Sequence, residues 1–316
     1  MNTLNRLRCG LSMLGVLGVV ALGEAQSAAQ TSPTTTAAVV NGSKITLAEV
    51  DAVLKARPTL GPLTAAQQRQ LRFEILSVMI DEMLLQQYFD KHGPKVEPAE
   101  VEAQLKALSE ALARQKLTLQ SYCAEQGITE KKLREGIKIV QQLTRYTEAK
   151  MTDAALRQYY EANRAYFDKV TVRAAHIVLR VPANAPESER AQARQKLAAM
   201  RAELLAGKAD FAELAKRYSQ CPSAARGGDI GFFAAKWMDL DESFVQAAFA
   251  AKVGDITEPV DTEFGVHLIK VLERTPGIPS TFEKVIDEVR DSFAQDVRAN
   301  LLDELRKVAK VEITLP

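Results

Sequence analysis

Between Thr64 and Phe89 the chain carries neither proline nor glycine, and its apolar residues fall on two stripes rather than one. Leu71, Ile75, Val78 and Leu85 make the first stripe, and Phe73, Leu76, Ile80 and Leu84 the second. Apolar residues recurring three and four apart predict a helix here, and two apolar faces require cover on both sides. Thr64 and Gln67 have the spacing of a capping box at its start, while His92-Gly93-Pro94 ends it. Such a helix cannot stay folded alone in water. A partner is available at the far end of the chain, where Val289, Phe293, Val297, Leu301 and Leu305 form one stripe of another long helix.

The rest of the N-terminal half reads as helical. Asn41-Gly42 lies between two short apolar segments and signals a small hairpin, after which Thr46 can cap a helix. Val101, Leu105, Leu108 and Leu112 recur at helical spacing, and a shorter helix around Leu119 to Glu125 stops at Gly127. Thr129 caps another helix with Leu133, Ile137, Val140 and Leu143 inward, and a further one runs from Asp153 to about Phe167. No internal repeat is visible, which argues against a solenoid. At Val170 the texture changes. Val172 to Leu179 reads as a partly buried strand, followed by helices at 186–205 and 210–218, a glycine-rich turn at Arg226 to Asp229, a helix through Phe244 to Phe249, and strands at Ile256 to Val260 and Gly265 to Leu272. This is an α+β pattern, a small antiparallel sheet with surrounding helices. The expected organisation is a mostly α-helical domain built from residues 37–168 and 280–316, the latter a helix and a strand, with the α+β unit of 170–275 inserted in it.

Ahead of these lie a short basic stretch, the apolar run Leu11 to Leu22 and small residues around Ala25, Ser27 and Ala29. That order is a secretory signal peptide over 1–29, and the run is shorter than a bilayer span. Residues 30–36 read as a flexible leader. Cleavage between Ala25 and Ala29 leaves about 39 basic and 39 acidic residues, a near-neutral chain without a nucleic-acid footprint. Cys123 and Cys221 then remain, in different domains, so no disulfide framework is indicated.

The chain has three histidines, and His176 and His267 fall on the first and last strands of the inserted unit. Around them stand Ala174-Ala175-His176-Ile177-Val178-Leu179, then Tyr218 to Gly231 with Cys221 and Gly227-Gly228-Asp229-Ile230-Gly231, then Phe264-Gly265-Val266-His267. This stretch, about 171–274, resembles a parvulin domain, and the flanking helices resemble more loosely those of the SurA and PrsA chaperone-isomerases. The resemblance implies a peptidyl-prolyl cis-trans isomerase of the exported, periplasmic kind that needs no cofactor. It implies that His176, His267 and Cys221 form the catalytic centre with Thr262 in the same network, and that Ile230, Met238 and Phe244 line the proline pocket. Its partners would be unfolded or nascent exported polypeptides containing X-Pro bonds.

Rotating an X-Pro amide breaks no bond, so an apolar cup with a few placed polar groups suffices. Non-covalent catalysis is therefore the expected role for the site. The same residues suggest two other chemistries, a Cys221-His176 thiol hydrolase and a metal site of His176, His267, Cys221 and Asp229. Cys221 lies in no hydrolase signature, and the four potential ligands lack close spacing. Two departures from the family pattern stand out: Gln220 replaces an acidic residue before the cysteine, and Met238 to Phe244 is long. Val181 to Pro186 adds no cation to Arg180, which argues against phosphoserine-proline recognition. A holdase with a weak or inactive parvulin domain is the alternative reading. Surplus apolar helix could also be covered by a second copy, as a homodimer.

Overall fold

The computed structural model describes residues 35–57, 61–182, 185–236 and 240–315. The expected signal peptide, nearly all of the leader, and Met238 lie outside these. The chain divides into two compact units, one of residues up to Thr152 together with Ser292 onward, the other Asp153–Asp291.

In the first unit, strands β1 (Thr36–Val40) and β2 (Ser43–Thr46) form the hairpin. Asn41 and Gly42 both take positive φ, at 51° and 88°, as a two-residue hairpin turn demands. The chain end returns as β7 (Val311–Ile313) on the other side of β1, so a three-stranded sheet in the order β2-β1-β7 joins both ends of the sequence. Five helices follow the hairpin: α1 (Leu47–Ala56), α2 (Ala65–His92), α3 (Pro98–Ala113), α4 (Leu119–Gln126) and α5 (Glu130–Glu148). Thr64 and Gln67 complete the expected capping box on α2, and Thr46 with Glu49 makes another on α1.

The two faces of α2 go to different neighbours. Ile75, Leu76, Ile80 and Leu84 pack with Val40, Ile45, Leu47 and Val50, while Leu85 and Phe89 pack against Leu301 and Leu302 of α11 (Phe282–Val308). An Arg306–Asp81 ion pair at 2.7 Å lies along the same two helices. Each buried leucine or phenylalanine contributes about 1.5–3 kcal/mol, which is what ties the two chain ends together. Cover is incomplete, since Phe73 stays 51% exposed and Val78 43%. On α5, Leu133 and Ile137 pack against Val101 and Leu105, but Val140, expected inward, is 39% exposed.

The second unit contains α6 (Asp153–Ala162), α7 (Arg164–Phe167), β3 (Thr171–Arg180), α8 (Glu187–Leu205), α9 (Phe211–Tyr218), a 3-10 turn (Pro222–Arg226), β4 (Asp229–Ala234), α10 (Glu242–Ala250), β5 (Val260–Thr262), β6 (Gly265–Thr275) and the start of α11. Its antiparallel sheet has the order β4-β3-β6-β5. Side chains alternate across a sheet, and here they feed two cores. Ile177 and Leu268 meet Leu197 and Phe211 on one face; Ala174, Ile269 and Val271 meet Phe233, Phe244 and Val245 on the other. His176 and His267 share the parity of this second face.

Four details differ from the sequence reading. β4 was not anticipated, because Gly231 interrupts the alternation of Ile230 and Phe232. The strand expected at Ile256 to Val260 is only a single bridge from Ile256 to Lys270, with regular pairing starting at Val260, since Pro259 has no N–H to offer a ladder. The helix expected over 153–167 breaks at Asn163. Residues 153–168 and 280–291, read from sequence as part of the helical domain, cluster with the inserted unit. Tyr160 lies 5.6 Å from Phe167 and 5.8 Å from Phe282, ring centre to ring centre, and its hydroxyl donates to Ser280 O at 2.7 Å.

Candidate active site

Strand register brings the two histidines together. His176 pairs with Ile269 and His267 with Val178, so the imidazoles are diagonal neighbours on one face. Their rings stack with centres 5.3 Å apart, and the two Nδ1 atoms are 3.1 Å apart. The outer nitrogens are also engaged: His176 Nε2 lies 3.2 Å from Ser223 Oγ, and His267 Nε2 lies 2.9 Å from Thr262 Oγ1. Phe244 stands edge-on to both rings at 5.5 and 5.4 Å. It is therefore Phe244 that faces the pair, while Phe249 packs on Phe233.

The proton count sets the direction of this chain. Gly265 O can only accept, so the Thr262 hydroxyl donates to it at 3.3 Å, and Thr262 Oγ1 accepts from Phe264 N at 3.1 Å. Thr262 then accepts the Nε2 proton of His267, His267 Nδ1 accepts from His176 Nδ1, and His176 Nε2 accepts from Ser223. Every hydroxyl and ring proton has a partner this way; in the reverse direction the Ser223 proton has none. All four members are at most 7% exposed. Burial pulls both imidazole pKa values down to about 4, and for His267 the neighbouring His176 adds to the fall while Asp241 opposes it. Near neutrality the pair is uncharged.

The backbone around His176 is held by the loop between α9 and β4. β4 pairs with β3 only as far as Ala175, which would leave the edge of the next residues unpaired. The loop fills that edge. His176 N donates to Gly228 O at 3.0 Å, Val178 N to Ser219 Oγ at 3.2 Å, Gln220 N to Val178 O at 2.9 Å, and Arg180 N to Gln220 Oε1 at 2.5 Å. The neutral amide of Gln220 thus serves as a backbone acceptor where an acidic residue was expected. Gly228 has φ +85°, and a Cβ there would press into the His176 backbone, so only glycine combines that conformation with that approach.

Against the histidines lies a cavity of about 570 Å³. Cys221, Thr262, Phe244, Leu240 and Phe264 line it with both imidazoles. His176 has both ring nitrogens occupied by His267 and Ser223, leaving none for the Cys221 thiol. Of the residues expected to line the proline pocket, Phe244 does so; Ile230 is half-buried and packs into the core beside Phe244 instead; Met238 is outside the described residues. Asp229, one of the four ligands considered for a metal, is ion-paired with Arg173 at 2.6 Å, and the imidazole nitrogens face each other rather than a common point.

Ser223, Leu240, Asp241 and Phe264 were given no site role from the sequence. Ser223 lies in the Tyr218 to Gly231 segment and Phe264 opens the Phe264-Gly265-Val266-His267 segment, and those were the signals for them. Asp241 lies within the Met238 to Phe244 stretch. Its Oδ1 accepts from Ser243 N at 2.8 Å, capping α10, and its Oδ2 accepts from Glu263 N at 3.2 Å. One carboxylate thereby ties the helix bearing Phe244 to the β5–β6 turn beside Thr262.

Residues 176–273 match the family described as PPIC-type PPIase domain, and residues 4–168 match the SurA-like N-terminal domain. The foldase protein PrsA of Geobacillus kaustophilus is 31% identical over 75% of this chain and 73% of its own length. A second PrsA, from Geobacillus sp. (strain WCH70), is 32% identical over 58% of each chain. The chaperone SurA of Albidiferax ferrireducens is 40% identical over 43% of this chain and 31% of its own. The chain spans about a third to three quarters of the length of these relatives. With a parvulin-type domain around the histidine pair and a SurA-like helical domain before it, the chain belongs to the PrsA and SurA family of foldases and is a peptidyl-prolyl cis-trans isomerase with chaperone function.

Proposed function

We propose that the protein isomerises X-Pro bonds of unfolded exported polypeptides without covalent chemistry, using His176, His267, Cys221 and Thr262 as the polar wall of the site and Phe244, with Met238, as the proline cup. The observation that carries this reading is the uncharged histidine pair beside an apolar cavity. A planar amide is dipolar through resonance, and twisting it removes that resonance at a cost of about 18–20 kcal/mol. Poorly hydrated surroundings with neutral hydrogen-bonding groups disfavour the dipolar planar form relative to the twisted one. Ionised imidazoles would work against this.

Two assays test it. A proline-peptide isomerisation assay compares the wild type with His176→Ala, Cys221→Ala and Cys221→Asp. The reading expects a large loss for the histidine variant and a modest one for both cysteine variants. Complete loss in both cysteine variants would show that the thiol is indispensable and refute it. Export rests on residues 1–29, and no helix among the described residues is long and apolar enough to cross a membrane. Mass spectrometry of the protein from an export-competent host should find a chain beginning just after a residue in the Ala25 to Ala29 window. An intact Met1 end would remove the export half of the reading.

A further inference from the structure

We infer that Arg190, in the first turn of α8, is a positioning residue of the isomerase: its guanidinium ties together the two lips of the cavity beside the histidines and so fixes Thr262, the end of the histidine chain, against the opposite wall. The inference rests on reading that chain as the polar wall of the site. It adds a residue that acts from outside the cavity, through the backbone.

Two segments form the lips. One is the end of β3, where Val181 and Pro182 follow Arg180; the other is the β5–β6 turn of Thr262, Glu263 and Phe264. They meet at Gly265, which pairs with Arg180 on one side and Thr262 on the other. A Cβ at Gly265 would press into Leu179 O and the backbone at Arg180 and Val181, and its φ of +139° also favours glycine. Glycine lets the lips come close but, as the most permissive residue, does not fix them. Arg190 does. Its Nη1 donates to Thr262 O at 3.1 Å and to Asp261 Oδ1 at 3.4 Å, while its Nη2 donates to Val181 O at 3.4 Å. The two nitrogens of one planar fork thus reach both lips at once. The side chain is only 15% exposed, so water competes little for these bonds.

Charge is balanced around this fork. Arg194, one turn further along α8, pairs with Asp261 at 2.8 Å and with Glu187. Two arginines therefore face two carboxylates, and the cluster places little net charge beside the uncharged histidines. The contribution of Arg190 is geometric. Both arginines share Asp261, but Arg190 also holds the two carbonyls. A carbonyl in a buried place that loses its donor must find another, and either lip moves when it does. Movement at Thr262 shifts the acceptor of His267 Nε2, and movement at Val181 alters the width of the cavity. Misplacement far below the size of a side chain is enough to slow a reaction that depends on orientation.

The test measures kcat and KM for a proline peptide with the full chain carrying Arg190→Met, Arg190→Lys, Arg194→Met or Thr262→Val. Methionine keeps the apolar stem and removes every donor. Arg190→Met is expected to lower kcat/KM about tenfold, with KM raised about threefold. Loss of folded protein alone would lower kcat and leave KM where it is, so the rise in KM separates positioning from stability. Arg190→Lys supplies a point charge in place of a fork and should lose about threefold in kcat/KM, again with KM raised; it carries the test if the methionine variant does not fold. Arg194→Met breaks the shared ion pair but leaves both carbonyl bonds, and should keep wild-type kinetics. The imidazole ¹⁵N signals of His267 should shift in the Arg190 variants and stay in place in Arg194→Met. Wild-type KM and unmoved His267 signals in the Arg190 variants overturn the inference, and so does an equal rise of KM in Arg194→Met. Thr262→Val keeps the two readings apart: if it loses activity while the Arg190 variants do not, only the role of Arg190 falls. If it too is as active as the wild type, the reading of the histidine chain falls with it.

Discussion

Holding two imidazoles uncharged inside a fold has a thermodynamic consequence. In the folded state both His176 and His267 have pKa values lowered from 6.5 to about 4, burial being the main cause; in the unfolded chain they return to about 6.5. Below about pH 6.5 the unfolded state takes up protons that the folded state refuses, so stability falls with pH until the folded pair protonates near pH 4. At pH 5 shifts of this size amount to about 2 kcal/mol per imidazole and about 4 kcal/mol for the pair. That is a large share of the roughly 5–15 kcal/mol that holds a domain folded. Carboxylates of the same unit held below their usual range, such as Asp168 and Asp229, weaken the fold only at lower pH, as they protonate. In this unit the window from pH 6.5 to 5 therefore belongs to the histidines, while Glu82 of the first unit, whose carboxyl burial holds above its usual range, opposes the loss as it protonates. Urea unfolding of the full chain, followed by fluorescence of the single tryptophan, Trp237, at pH 8, 6.5 and 5 reads the effect. The wild type should lose stability between pH 6.5 and 5, and a His176→Leu, His267→Leu double variant should not, whatever its absolute stability. A flat wild-type profile, or equal slopes for both proteins, would refute the neutral pair.

The isomerase site makes further predictions. Thr262→Val removes the acceptor for His267 Nε2 and should lower kcat/KM by roughly tenfold, about 1.4 kcal/mol, in the proline-peptide assay. Thr262→Ser should restore most of it. Gly228→Ala forces a β-carbon into the His176 backbone at positive φ and should cost about 2–4 kcal/mol in urea unfolding, with a drop in isomerisation. Gly207→Ala, also at positive φ but with open space around the added carbon, should cost about 1–2 kcal/mol and leave the isomerisation rate unchanged. Asp241→Ser keeps a helix cap but cannot span to Glu263; it should raise KM more than it lowers kcat, because it loosens the cup rather than the histidine chain.

Legibility in the sequence followed how local each determinant is. The caps of α1 and α2 and the Asn41-Gly42 turn depend on side chains within a few residues, and they were readable as such. The pairing of α2 with α11 was readable because a two-faced apolar helix leaves few alternatives. The histidine pair was suggested by order along the chain, but the direction of the proton chain was not. It depends on Gly265 O, Ser223 and Thr262 meeting in space. Likewise, the place of Gln220 follows from a tertiary feature, the departure of β4 from β3 at Ala175. Residues 153–168, read from sequence with the helical domain and within the stretch that matches the SurA-like N-terminal domain, cluster in space with the second unit, because helical texture cannot say which core a helix joins. The aromatic contacts of Tyr160, Phe167 and Phe282 decide that, and they link residues more than 100 positions apart.

The neutral histidine pair and the apolar cavity beside it fit one another physically. Each ring nitrogen of the two imidazoles has a hydrogen-bonding partner, so the pair is held in place without charge near neutrality. That suits a reaction in which the enzyme must prefer one shape of an amide over another, because a preference of shape requires a wall that does not adjust.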